Sequence, residues 1–211
     1  MGARREQLVT PQSDADGISL SQTPAAGGVQ SFTLNGAFVT SGAVGFTNAS
    51  HIIEFVQAAD ETGRTYTITG TDPRDVAITE AVSGSTGTVS STKYFKTITG
   101  ITIDANSAGA LTIGTSGLAC SSWVLFNHGE SINIGLAAVL STSASLTYAV
   151  EHTFDDLQSN TDLTITTIDH DDLTGKTATD DGNYAFSAFG FRVKTTAFTS
   201  GTVTLTSIQA Y

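Results

Sequence analysis

The chain has 211 residues, a formal net charge of −11 and a pI near 4.4, and 14% of its residues are charged, against roughly 25% in an average soluble domain. That balance argues against a nucleic-acid partner, which needs a basic face to displace counterions, and against an anionic membrane surface. No apolar run approaches the roughly 20 residues that cross a bilayer as a helix, whereas serine and threonine together make up about a quarter of the chain, well above ordinary usage.

In chain order, Met1–Gln7 is polar and lacks the apolar segment of a secretory leader. Residues 1–30 hold Pro11, Pro24, Arg4, Arg5 and Asp14-Ala15-Asp16-Gly17, with little periodicity before Val29. They read as an extended N-terminal arm carrying a short strand at Gly17–Leu20, dispensable for folding but needed for attachment to a neighbouring subunit. Strands are expected at Phe32–Leu34, Ala37–Phe46, Ile52–Val56, Tyr66–Thr69, Val76–Val82, Lys93–Ile103 and Ala110–Ile113. Between them lie the turn sequences Asp60-Glu61-Thr62-Gly63 and Asp72-Pro73-Arg74-Asp75 and the connection Ser83–Gly87.

The stretch from Thr65 to Ile113 is the most telling. Tyr66, Ile68, Ile98, Ile101 and Ile103 recur among threonines, the pattern of a strand with one buried and one wet face. The apolar positions are β-branched or aromatic, which suits a pleated surface. The wet face is almost uncharged, and a surface of hydroxyls suits contact with other proteins better than it suits chemistry.

The second half supplies strands at Ser122–Phe126, Ser131–Leu140, Ser145–Thr153, Leu163–Ile168, Tyr184–Thr195 and Thr202–Ala210. Its loops gather Asp155, Asp156, Asp162, Asp169, Asp171, Asp172, Asp180 and Asp181. Short strands every 8–12 residues or so, with no capped helix-period segment, predict an all-β chain of antiparallel β-sandwich type. Two Ig-like or jelly-roll-like units fit the length, at 31–117 and 118–211 after the arm; a single larger jelly roll is the alternative.

Sites for chemistry are sparse. His51, His128, His152 and His170 lack the close pairing of a zinc site. Asp155-Asp156 and Asp169-His170-Asp171-Asp172 hold oxygen donors, but not at the alternate positions around a glycine that a calcium loop uses. Cys120 is the single cysteine, so no internal disulfide forms, and it reads as a small packing residue. Ser83-Gly84-Ser85 and Ser116-Gly117 lie in turns between strands, without the strand-to-helix elbow of a serine nucleophile. No catalytic, cofactor or metal residue is expected.

Several segments, in order, resemble a family of tailed-bacteriophage virion structural proteins. They are residues 60–72 (Asp-Glu-Thr-Gly-Arg-Thr-Tyr-Thr-Ile-Thr-Gly-Thr-Asp), Ile78–Gly84, Lys93–Ile98, Tyr148–Asp156, Asp181–Phe186 and Ser207–Ala210. Asp72-Pro73-Arg74-Asp75 departs from the family's glycine-bearing turn, and the first thirty residues lie outside the resemblance. The resemblance implies a non-enzymatic protein located in the virion and assembled in the host cytoplasm. A capsid decoration or cement protein comes first, with a tail, neck or fibre component as the alternative. The implied partners are the major capsid protein or other virion proteins, with a dimeric or trimeric homo-oligomer. Contact residues expected on this reading are Arg4, Arg5, Thr67 and Thr99. A carbohydrate-binding module for host attachment is a third reading, with Tyr184, Phe186, Phe189 and Phe191 as its aromatic candidates.

Overall fold

The computed structural model describes residues 3–126, 133–158 and 165–209, with side chains from residue 5 onward. Every regular element among them is a β-strand, and the named pairings are antiparallel, as in a sandwich-type all-β fold. The chain divides into two compact units, Gln12–Gly117 and Met1–Pro11 with Leu118–Tyr211.

In the Gln12–Gly117 unit, one sheet runs in the order β4 (Val39–Thr40), β5 (Ala43–Gly45), β10 (Thr97–Ile103), β7 (Thr65–Thr71) and β8 (Ala77–Ser83), and β3 (Gln30–Ser31) pairs β10. A second set holds β2 (Ser13–Gln22), β6 (Ser50–Asp60), β9 (Thr86–Ser90) and β11 (Leu111–Cys120); β2 pairs β11 and β9 pairs β6. The expected strand at Ala37–Phe46 is a hairpin, because Ser41 and Gly42 take φ of 54° and 80°, turning β4 back onto β5. The unit's core is Ile53, Phe55, Tyr66, Ile68, Ile98, Ile101 and Ile103, all essentially inaccessible. Phe55 of β6 and Tyr66 of β7 stack at 4.4 Å and 12°.

The alternation of β10 contains one defect that the fold uses. Ile98 and Ile101 are three residues apart, so simple alternation would turn one of them to water. The strand instead bulges: Ile98 pairs Gly70, Gly100 pairs Thr69, and Thr99 is left over on the outside. Gly70 is required opposite the bulge, since a Cβ there would lie 1.9 Å from the Thr97 carbonyl oxygen.

In the other unit, one sheet runs β1 (Ala3–Val9), β18 (Val203–Gln209), β13 (Ile134–Leu140) and β16 (Asp180–Tyr184). Its companion set holds β14 (Ser145–Thr153) between β15 (Ile168–Asp169) and β17 (Gly190–Ser200). There β17 also pairs β12 (Val124–Leu125) and Cys120 at the end of β11. Tyr148, Val150, Tyr184, Phe191, Val193 and Leu205 fill the core. The strand expected over Tyr184–Thr195 is two strands, with Ala185–Phe189 looping between them.

The N-terminal arm is a correction. Ala3–Val9 pairs residue by residue with β18, from Ala3 opposite Gln209 to Val9 opposite Val203, and β2 is ten residues long rather than four. Val9 and Ile18 are fully buried. Removal of residues 1–30 takes out two strands and two core side chains, and the truncated chain is therefore expected to lose its cooperative urea transition. Retention of the full-length midpoint would show that the first thirty residues act as an arm after all.

Candidate functional site

Two regions stand out, one in each unit. In the Gln12–Gly117 unit the outer face of β8, β7 and β10 is built from small uncharged side chains. The β7–β8 register places Thr65 beside Ser83, Thr67 beside Ala81, Thr69 beside Thr79 and Thr71 beside Ala77. The β10 side adds Thr97 and Thr102, and Thr71 and Thr97 share a hydroxyl–hydroxyl hydrogen bond of 2.8 Å. Bulged Thr99 stands exposed and donates to the Thr69 carbonyl at 3.3 Å. The acid within β8, Glu80, turns inward, where its carboxylate accepts from the Thr92 and Lys93 amides and the Thr92 hydroxyl. Charge sits at the margin: Lys96 meets Asp75 at 2.7 Å, and the Lys93 ammonium donates to the Thr79 carbonyl on the end strand β8.

The second region is a cleft of about 450 Å³ at the ends of β14, β15 and β16. His152 lies at its base. The His152 ring centroid lies 5.2 Å from both Tyr184 and Phe186 and 5.5 Å from Phe154. Phe154 and Phe186 are 59% and 45% exposed and stack at 6.1 Å and 28°. His170 is fixed from both sides: its Nδ1 accepts the Asp172 amide, and its Nε2 donates to the Asn183 carbonyl, both at 3.1 Å. Asp169, Asp171 and Asp172 line the mouth.

Electrostatics around His152 are asymmetric. Burial and the neighbouring His170 hold its pKa below the ordinary 6.5, against the opposing carboxylates Asp171, Asp169 and Glu151. Burial pushes the Tyr184 hydroxyl well above the ordinary tyrosine value of 10.0. Beneath the cleft, Glu151 is 1% exposed and meets Arg192 at 2.6 Å and Lys194 at 2.5 Å. Lys194 continues to Asp169 at 2.9 Å, and Arg192 lies over the Trp123 ring at 4.5 Å.

The sequence candidates are distributed as follows. Thr67 and Thr99 share the hydroxyl face. Arg4 pairs through its backbone opposite Ile208, and its side chain lies outside the described residues, as do His128 and Asp162. Arg5 is exposed on β1 and borders a shallow recess with Val124, Ile134 and Ser207. Of the four aromatic candidates, Tyr184 and Phe191 are buried, Phe189 is intermediate and Phe186 is exposed. Cys120 is buried, as expected, and the Arg192 guanidinium donates to it, with Nη1 3.3 Å from Sγ. Among the described residues no group of three or more His, Cys, Asp or Glu is arranged to hold a metal. The sequence reading missed Phe154; its signal was a bulky apolar residue set between Thr153 and Asp155-Asp156.

Comparisons with protein-family models, with curated proteins and with solved structures find no match for this chain.

Proposed function

We propose that the chain is a non-enzymatic structural protein of a tailed-phage particle, acting as a capsid decoration or cement protein through surface contact. The observation that carries this reading is the uncharged hydroxyl face of β8, β7 and β10. The molecule bears a net charge of −11, yet this face presents Thr67, Thr69, Thr79, Ala81 and Thr99 without a charged side chain between them. A like-charged shell protein, or a second copy of the chain, approaches such a face without the desolvation and repulsion that acidic loops impose. On a repeated lattice, and as a dimer or trimer, modest contacts add through multivalency. The function is then mechanical: clamping neighbouring subunits of the shell.

Thr67→Lys with Thr99→Lys places two ammonium groups on that face. Thr99 is exposed and Thr67 half-buried with its side chain on the outer face, so the folding cost is expected to stay within about 1 kcal/mol, while incorporation into particles, measured as copies per shell protein by quantitative mass spectrometry, is expected to fall about tenfold. Unchanged incorporation would remove the face from consideration. The wild-type copy number separates roles: hundreds per particle fit decoration, whereas about a dozen fit a neck or tail ring.

A further inference from the structure

We propose that the cleft at the ends of β14, β15 and β16 is a binding site for an organic ammonium group, seated against Phe154 and Phe186 and facing Asp171 and Asp172. This goes beyond docking on the hydroxyl face and uses the other unit.

Three features of the cleft converge on that ligand class. The first is the wall. Phe154 and Phe186 keep about half of their surface in solvent although each is large and apolar, and they stack on one another beside the His152 and Tyr184 rings. Aromatic faces carry negative quadrupole density and attract a cation held near them. The second is charge. The lining contains three carboxylates and no lysine or arginine. Asp169 is engaged by Lys194 at 2.9 Å and by the Thr174 hydroxyl at 3.1 Å. Asp171 and Asp172 are exposed at the rim, and neither is in an ion pair among the described residues.

The third feature is rigidity. His170 is tied to the Asp172 amide and the Asn183 carbonyl, so the backbone beneath the carboxylates and the strand end beneath Phe186 are joined through one ring. The volume of about 450 Å³ lies within the range of small-ligand sites. A cation gains from both the rings and the carboxylates. A neutral sugar gains from the rings but not from the charge, and an anion is repelled.

The full chain is titrated at low ionic strength with choline, n-butylammonium, 3,3-dimethylbutan-1-ol (the uncharged isostere of choline) and methyl β-D-glucopyranoside, with binding followed by NMR chemical-shift change. The expected result is saturable binding of at least one ammonium compound, about tenfold tighter than the alcohol. Choline ahead of butylammonium indicates a quaternary head group; the reverse indicates a lysine-like side chain. Phe154→Ala, Phe186→Ala and the pair Asp171→Asn with Asp172→Asn each weaken binding at least about fivefold, with urea midpoints near wild type because all four positions are exposed. Equal binding of the isostere, binding of the glucoside without the ammonium compounds, no saturation by either ammonium compound, or full binding by the two phenylalanine variants would overturn the assignment.

Discussion

Glu151→Gln is expected to destabilise the protein by about 3–5 kcal/mol, because it removes the carboxylate charge that the mostly buried Arg192 and Lys194 share, and of the two only Lys194 has a second carboxylate, Asp169, in an ion pair described above. Glu151 is 1% exposed and is held between Arg192 and Lys194. The guanidinium and ammonium are themselves mostly enclosed, with side-chain exposures of 11% and 18%. Burial alone would raise the Glu151 pKa; the charge of Arg192 and the hydrogen bond and charge of Lys194 outweigh it and hold the carboxyl below the ordinary 4.5. The Lys194 ammonium is likewise penalised by burial, yet Glu151 and Asp169 raise its pKa above the ordinary 10.5.

The signs follow from linkage. A carboxyl depressed in the folded state stabilises it above the unfolded value near 4.5 and loses that contribution as pH falls through the folded value. A lysine raised in the folded state stabilises it below 10.5 and loses that contribution as pH rises through the folded value. His152, held below 6.5, adds to the acid side, since the unfolded chain takes up its proton first. Urea midpoints measured from neutral to acid pH should therefore decline in the wild type and decline less in Glu151→Gln. An identical acid limb in both proteins would mean that Glu151 is not the group responsible. Replacing Glu151 and Arg192 together by leucine and methionine should recover part of the loss, because an apolar pair leaves fewer charges stranded.

Tyr66→Ala in the Gln12–Gly117 unit is expected to cost about 3–5 kcal/mol by the same measurement. Tyr66 is fully buried, stacks on Phe55 and lies 6.4 Å from Phe32, so truncation opens a cavity lined by rings that cannot collapse onto alanine. Its hydroxyl lies 3.1 Å from Gln57 Nε2, which donates to it. Tyr66→Phe keeps the ring and removes only that acceptor, so its cost is expected to be about 1 kcal/mol. Similar losses for the two substitutions would place the energy in the hydrogen bond rather than in the stacked rings.

Tyr66 also shows what sequence carries and what it does not. Its strand was readable because Thr65–Thr71 alternates and each face meets one environment. Alternation of Leu146, Tyr148, Val150 and His152 likewise located β14, Ser145–Thr153, at its true ends, although both faces of that strand are buried beyond Thr147. It failed for β1, whose sequence Ala-Arg-Arg-Glu-Gln-Leu-Val carries few apolar residues. What makes it a strand is the unpaired edge of β18 at the far end of the chain, and no local pattern records a partner that distant. The hydroxyl face followed from alternation; the bulge at Thr99, where the alternation breaks, did not, and is seen only in the register of β10 against β7. The cleft was half-legible. Phe186 was singled out for its aromatic spacing and the aspartates for their clustering, but the convergence of Phe154, Phe186 and His152 depends on where strand ends meet in space.

The pairing of the first strand with the last has a consequence for the order of events during synthesis. Gln12–Gly117 is contiguous and can close its own core once it has left the ribosome. The other unit cannot, because Ala3 waits for Gln209. At ordinary elongation rates of about 5–20 residues per second, β1 is made roughly 10–40 s before its partner strand exists. Throughout that interval Val9 lacks its partner Val203, and the closure, when it comes, spans nearly the whole chain, the kind of non-local contact that slows folding. The polar make-up that hid β1 from the sequence reading is therefore also what lets it wait: Arg4, Arg5, Glu6 and Gln7 keep a solitary strand soluble until the last one arrives.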